Sequence, residues 1–270
     1  MPDFIENDIM YRCWNVPSPK AVLLLIHGLG AHSARWDFLA GFFAERGYAS
    51  YAIELRGFGR TKERPRGHID SFRDYDRDIL HLGEIIGREH PGLKVVLLGE
   101  SMGALIAFNL ACLHPEMFAG QVLISPVFKN GIKFPLSAYL TLVANILIRP
   151  RKTIAIAFTS DMCTRDTSYC QVMDANPDEL RSASLKLLMN IMSEQKKAKR
   201  LAEDLTVPTL FQVAGQDQLV DARAERKMFE KLKTRDKTLL DYPEMFHALS
   251  IELGRERVFR DILEWLEKKM

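Results

Sequence analysis

Short apolar runs alternate along this chain with longer stretches whose apolar residues recur every three or four positions. That rhythm predicts strands connected by helices in a largely parallel sheet. The strand candidates are Ala21 to Ile26, Tyr48 to Glu54, Lys94 to Gly99, Gln121 to Ile124, Thr209 to Ala214 and Thr238 to Tyr242. Helical patterns lie near Ala34 to Arg46, Phe72 to Glu89, Met102 to Leu113, Ala222 to Leu232 and Glu256 to Lys269. Their punctuation agrees with this reading: Gly47 can close the first helix, and Ser71 with Asp74 resembles a capping box opening the second.

The rhythm breaks between Pro126 and about Asp204, where no strand-then-helix unit is apparent and helical segments follow one another. The expected organisation is therefore a core of residues 1–126 and 204–270 interrupted by a helical insertion, 127–203. Helical periodicity returns in Leu180 to Met192, and the basic run Lys196, Lys197, Lys199 and Arg200 behind it reads as a solvated helix face.

Composition narrows the function classes. A chain of 270 residues with 47% hydrophobic content can bury a full core. Its 37 Lys and Arg against 35 Asp and Glu leave a net charge of +2, too little for the long-range field on which nucleic-acid binding relies. The first residues carry acids where an export signal has basic residues followed by an apolar stretch, so the expected compartment is cytoplasmic. Cys13, Cys112, Cys163 and Cys170 lack CxxC spacing and disulfide-scaffold density; they read as free thiols and do not suggest a zinc site.

Gly99-Glu100-Ser101-Met102-Gly103 is a G-x-S-x-G motif set between the run Lys94 to Leu98 and the apolar helix that follows. A serine at a sharp strand-to-helix turn projects its hydroxyl above the sheet, and the helix directs its N-terminal amides at charge developing there. A serine hydroxyl is a poor nucleophile at neutral pH, so it needs a base and an acid to hold that base in the right tautomer. With this motif the chain order is Ser, then Asp or Glu, then His. Only His247 of the seven histidines lies far enough along the chain. Asp217, just past the strand Thr209 to Ala214, is the acid, while its rival Asp221 is better placed as the N-cap of the helix starting at Ala222. The oxyanion donors expected are the backbone N–H groups of Met102 and, from the turn His27-Gly28-Leu29-Gly30, Leu29.

Three segments then carry a resemblance over nearly the whole chain. His27-Gly28-Leu29-Gly30-Ala31-His32-Ser33-Ala34-Arg35-Trp36 is similar to an H-G-x-G-E-H-S-x-R-Y oxyanion segment, and Gly99 to Ala104 to a G-H-S-M-G-G elbow. The third runs from Asp236 through Tyr242 to His247-Ala248-Leu249, with Glu252 shortly after. Together they resemble the monoacylglycerol lipase and lysophospholipase branch of the α/β-hydrolases. Ala31, Glu100 and Ala104 replace the Glu, His and Gly common there, and Arg56 to Thr61 resembles its R-G-x-G-x-S turn with Thr61 for Ser. The resemblance implies an α/β-hydrolase fold with a helical lid, and ester hydrolysis through an acyl-enzyme on Ser101 that needs no cofactor and no metal.

Within the insertion, Phe134 to Ile148 is apolar around most of a helix circumference but is shorter than the roughly 20 residues that span a bilayer. Leu136, Leu140, Val143 and Leu147 fall on one stripe that can line an acyl pocket, although burial between lid and core produces the same pattern. The resemblance favours a lid that admits a lipophilic ester, a monoacylglycerol or lysophospholipid, and touches membranes transiently; the small net charge leaves no nucleic-acid partner expected, and the oligomeric state stays open. Two other readings stay open: a small-ester carboxylesterase or thioesterase, and a receptor of small molecules with slow turnover on the same fold.

Overall fold

The computed structural model describes residues 3–6, 8–131 and 148–269. The strands β1 (Asp3–Glu6), β2 (Ile9–Trp14), β3 (Val22–Ile26), β4 (Ala49–Glu54), β5 (Val95–Glu100), β6 (Gly120–Ile124), β9 (Thr209–Ala214) and β10 (Lys237–Tyr242) form one eight-stranded sheet in the order β1-β2-β4-β3-β5-β6-β9-β10. From β4 to β10 neighbouring strands are parallel, whereas β2 pairs antiparallel with both β4 and β1.

Strand alternation builds the layers, because successive side chains point to opposite faces. Val22, Leu24 and Ile26 enter one apolar cluster with Tyr75 and Ile79 of α2 (Phe72–Glu89) and Leu105 and Phe108 of α3 (Met102–Leu113). Leu23 and Leu25 enter the other, with Leu39 and Phe43 of α1 (Asp37–Ala44) and Phe259 and Ile262 of the C-terminal helix (Arg255–Lys269). Helices thus cover both faces, the arrangement that a parallel sheet of continuous apolar strands requires. The register pairs Ile26 with Gly99 and Gly99 with Leu123, which brings the C-terminal ends of β3, β5 and β6 to one edge.

The expected elements fall where the pattern put them, with boundary shifts of a residue or two. Ser71 caps α2 through an Arg73 N–H donated to its Oγ at 3.2 Å, and Gly47 takes the left-handed φ of +83° after α1. The stretch Ala34 to Arg46 opens as a 3-10 turn, Ser33–Trp36, before α1 begins.

Two differences have clear physical reasons. The hairpin of β1 and β2 was not anticipated: the edge strand β1 is only four residues long, and in β2 the buried but polar Arg12 and the half-buried Met10 and Cys13 interrupt the apolar run. The segment between β6 and β9 is also not all helical. It contains α4 (Ser160–Cys163), α5 (Thr167–Ala175) and α6 (Leu185–Leu201), but also a small antiparallel ladder of β7 (Thr153–Ala155) with β8 (Ser182–Ser184), three residues a side and too short for a period to register. That ladder consumes Ser182 to Ser184, so the helix expected from Leu180 starts at Leu185 instead, where Ser184 Oγ accepts the Leu187 N–H at 3.1 Å. Lys196, Lys199 and Arg200 of α6 are exposed, as a solvated face should be. Leu136, Leu140, Val143 and Leu147 lie outside the described residues. The helix α7 (Ala222–Lys231) connects β9 to β10, and α8 is the C-terminal helix Arg255–Lys269.

Candidate active site

At the end of β5 the chain turns into α3 through Ser101, whose φ of +57° and ψ of −114° lie outside the regions that L-residues favour. The turn is held from several sides. Ser101 N donates to Ile124 O at 2.9 Å, and Leu105 N donates to Ser101 O at 3.1 Å. The flanking glycines have a steric reason: a Cβ on Gly103 would sit 2.0 Å from Ile26 O, and one on Gly99 would sit 2.4 Å from Gly103 O.

His247, itself buried, follows β10 in a loop, and its Nδ1 donates to Asp217 Oδ2 at 2.6 Å. The other oxygen, Oδ1, accepts the Leu219 and Val220 N–H groups at 2.8 and 2.9 Å, so three donors fix a fully buried carboxylate. Committing Nδ1 to Asp217 leaves Nε2 as the acceptor nitrogen of the neutral ring. Burial alone would depress the His247 pKa, but the Asp217 carboxylate, with help from Glu100, more than reverses this and leaves it above the usual imidazole value. Asp221 takes the capping role expected of it, accepting Arg223 N–H at 3.1 Å and pairing with Lys129.

The turn after β3 lies directly against the serine, since a Cβ on Gly28 would be 3.2 Å from Ser101 Cβ. His27 holds that turn in place: its Nε2 accepts Leu55 N–H at 3.1 Å and its Nδ1 donates to Gly28 O at 2.9 Å. Leu29 and Met102 both reach the cavity described below, and Met102 is the first residue of α3, where helix amides lack an intrahelical acceptor.

Other residues around the site, Arg35 and Glu252 of the resembling segments among them, had no sequence signal that tied them to their partners. Arg35 and Glu179, 144 residues apart, form a buried two-pronged pair at 2.6 and 2.7 Å, next to the bond from Leu180 N–H to Gly30 O at 2.8 Å. Glu252 accepts the Phe246 N–H at 3.0 Å and the Arg165 N–H at 3.2 Å, which pins the histidine loop to the segment between β6 and β9. Pairings so distant leave no periodicity to read. Glu100 could have been found, because it departs from the pattern that its surroundings resemble.

Ser101, His247, Leu29 and Met102 open onto one cavity of about 620 Å³. Ile154 of β7, Ile156 just after it, Leu185, Leu188 and Ile191 of α6, and Leu219 make most of its remaining wall aliphatic. Cys163 lines it too, but burial pushes that thiol up to about 12, so it carries no thiolate. The four cysteines are free. Among the described residues no helix is long and apolar enough to cross a membrane.

Known proteins resemble this chain over most of its length. The family described as serine aminopeptidase, S33 (Hydrolase_4) matches residues 17–254. The monoglyceride lipase of Homo sapiens is 30% identical over 100% of this chain and 91% of its own length. The phospholipase YtpA of Bacillus subtilis is 29% identical over 92% of this chain and 95% of its own. Among solved structures, the monoacylglycerol lipase of Paleococcus ferrophilus superposes with a TM-score of 0.88 at 25% identity, covering 97% of this chain and 99% of that one.

Proposed function

The chain belongs to the serine hydrolase family described as serine aminopeptidase, S33, on the α/β-hydrolase fold, and from that membership we propose that it hydrolyses lipid esters through an acyl-enzyme on Ser101. The observation that carries the lipid reading is the aliphatic cavity of about 620 Å³ running from Ser101 along β7 and α6. A volume in this range suits a ligand of drug or lipid size, and its walls offer an acyl chain burial at about 0.8 kcal/mol per methylene.

His247 Nε2 takes the proton of Ser101 Oγ as the alkoxide attacks the ester carbonyl, while Asp217 holds the imidazole tautomer and stabilises the imidazolium. The Leu29 and Met102 amides receive the oxyanion. His247 then returns the proton to the departing alcohol, and water repeats the sequence to release the acid. Residues 127–203 act as the lid, and membrane contact is transient, through that segment. The ester is a monoacylglycerol or a lysophospholipid. An aminopeptidase activity, as the family's description names, needs a carboxylate free to receive an α-ammonium group. Glu100, the one carboxylate among the described residues that line the cavity, commits both oxygens to Ser250.

The test is initial hydrolysis rates across esters of increasing acyl length, monoacylglycerols included, with Ser101→Ala as control. The expected result is a kcat/KM that rises about fourfold per added methylene until the cavity is full, the factor that corresponds to ~0.8 kcal/mol, and that vanishes in the variant. A maximum at acetyl or butyryl would leave the serine chemistry standing and make this a small-ester esterase.

A further inference from the structure

Glu100 ends β5 one residue before Ser101, and its carboxylate is buried. A carboxylate taken out of water needs donors or a cation. Both of its oxygens are met by a single residue: Oε1 accepts Ser250 N–H at 3.1 Å and Oε2 accepts Ser250 Oγ–H at 3.0 Å. Ser250 is itself buried, in a 3-10 turn, Leu249–Ile251, that starts two residues after His247 and is closed by Leu249 N–H on His247 O at 3.1 Å and Ile251 N–H on Ala248 O at 3.1 Å. The residue before the nucleophile is thus tied to the turn that carries the base, across 150 positions of sequence.

The charges around this carboxylate are few. Arg35 reaches it from the turn before α1, but that guanidinium is bound through two nitrogens to Glu179. From the segment between β6 and β9 come Cys163 and Tyr169, both held neutral by burial, and from the histidine loop comes His247. The charge that changes during turnover within this group is that of His247. Burial pushes Glu100 itself above the ordinary carboxylate range, with the Ser250 donors and His247 pulling the other way.

We propose that Glu100 is a positioning residue for His247, acting through Ser250 to hold the histidine loop on the nucleophile turn and adding a second negative charge to the field in which the imidazolium forms. This rests on the assignment of Ser101 and His247 above. The two parts separate by substitution. Glu100→Gln keeps the size and a hydrogen-bonding partner for Ser250 but removes the charge. Ser250→Ala keeps the charge but removes one of the two bonds, and Ser250→Thr restores the hydroxyl.

The experiment is the pH profile of kcat/KM, together with kcat and KM at the optimum, on one soluble ester for the wild type and these three variants. A fluorophosphonate probe on Ser101 runs in parallel. Glu100→Gln is expected to move the acidic limb to lower pH by about 0.5–1 unit, as loss of one nearby negative charge should. Ser250→Ala is expected to lose about tenfold in kcat with KM within twofold, and Ser250→Thr to recover it. An unmoved acidic limb in Glu100→Gln overturns the charge part, and wild-type kcat in Ser250→Ala overturns the link. Should Glu100→Gln fail to fold, the Ser250 pair decides. Failure of the probe to label Ser101 in the wild type sinks the underlying assignment instead.

Discussion

Replacing Ser101 by glycine should stabilise the protein relative to the alanine variant, although both lack the nucleophile. The serine is held at φ +57° and ψ −114°, where a Cβ is strained and glycine is not. Backbone strain of this kind costs of order 1–3 kcal/mol, and the glycine variant recovers it. Against this stands the larger conformational freedom of glycine in the unfolded chain, about 0.4–1 kcal/mol. The difference leaves Ser101→Gly about 0.5–2 kcal/mol more stable than Ser101→Ala, and alanine is the right reference because neither variant keeps a hydroxyl. At about 2–4 °C per kcal/mol for a domain of comparable size, the melting temperatures should differ by about 1–8 °C. Urea titrations read the same quantity as a higher midpoint at unchanged slope. A glycine variant no more stable than the alanine one would refute the idea that the site stores strain at its nucleophile.

Asp217→Asn should cut kcat by about 10⁴ while folding stability changes by less than ~1 kcal/mol, since the amide oxygen still accepts from Leu219 and Val220; turnover within tenfold of wild type would reject the orienting role. Glu225 is fully buried in α7, its oxygens meet no donor among the described residues, and burial followed by the Asp217 charge raises its pKa well above the ordinary carboxylate value. The folded state therefore binds that proton more tightly than the unfolded chain, so stability falls as pH climbs from the unfolded carboxylate value through the folded one. Glu225→Gln removes the penalty, and its advantage in urea melts should be larger at pH 8 than at pH 5; parallel pH curves would contradict this. Glu179→Gln strands the buried Arg35 guanidinium and should destabilise the fold by about 3–5 kcal/mol, most of which the double variant Arg35→Met with Glu179→Leu regains; a loss below ~1 kcal/mol from the single change would show the pair to be dispensable.

The parallel sheet was legible because strands such as Val22–Ile26 are buried on both faces and read as unbroken apolar runs. Ser101, Asp217 and His247 could be singled out because a nucleophile, an acid and a base must follow strand ends in a set order, and in the structure His247 hydrogen-bonds Asp217. Less could be read where a residue's meaning depends on a partner far along the chain. Glu100 carries no local sign of Ser250, nor Arg35 of Glu179. The hairpin at β1 and β2 and the ladder of β7 and β8 escaped because half-exposed or three-residue strands have too little apolar content to set a period.

The pair of Arg35 with Glu179, next to the bond from Leu180 N–H to Gly30 O, has a consequence for how this scaffold can diversify. The segment that walls the cavity is fastened to the turn beside Ser101 by polar groups, Arg35 among the cavity's own lining, while most of the rest of the wall is made of interchangeable aliphatic side chains. Swaps among Ile154, Leu188 and Ile191 alter the shape of the guest at small cost to the fold, since volume-conserving changes in apolar surroundings are tolerated. Changes at Arg35 or Glu179 are penalised at once. Variation in substrate range is thereby channelled into the wall, and the fastening lets new specificities be sampled without each one having to rediscover the chemistry.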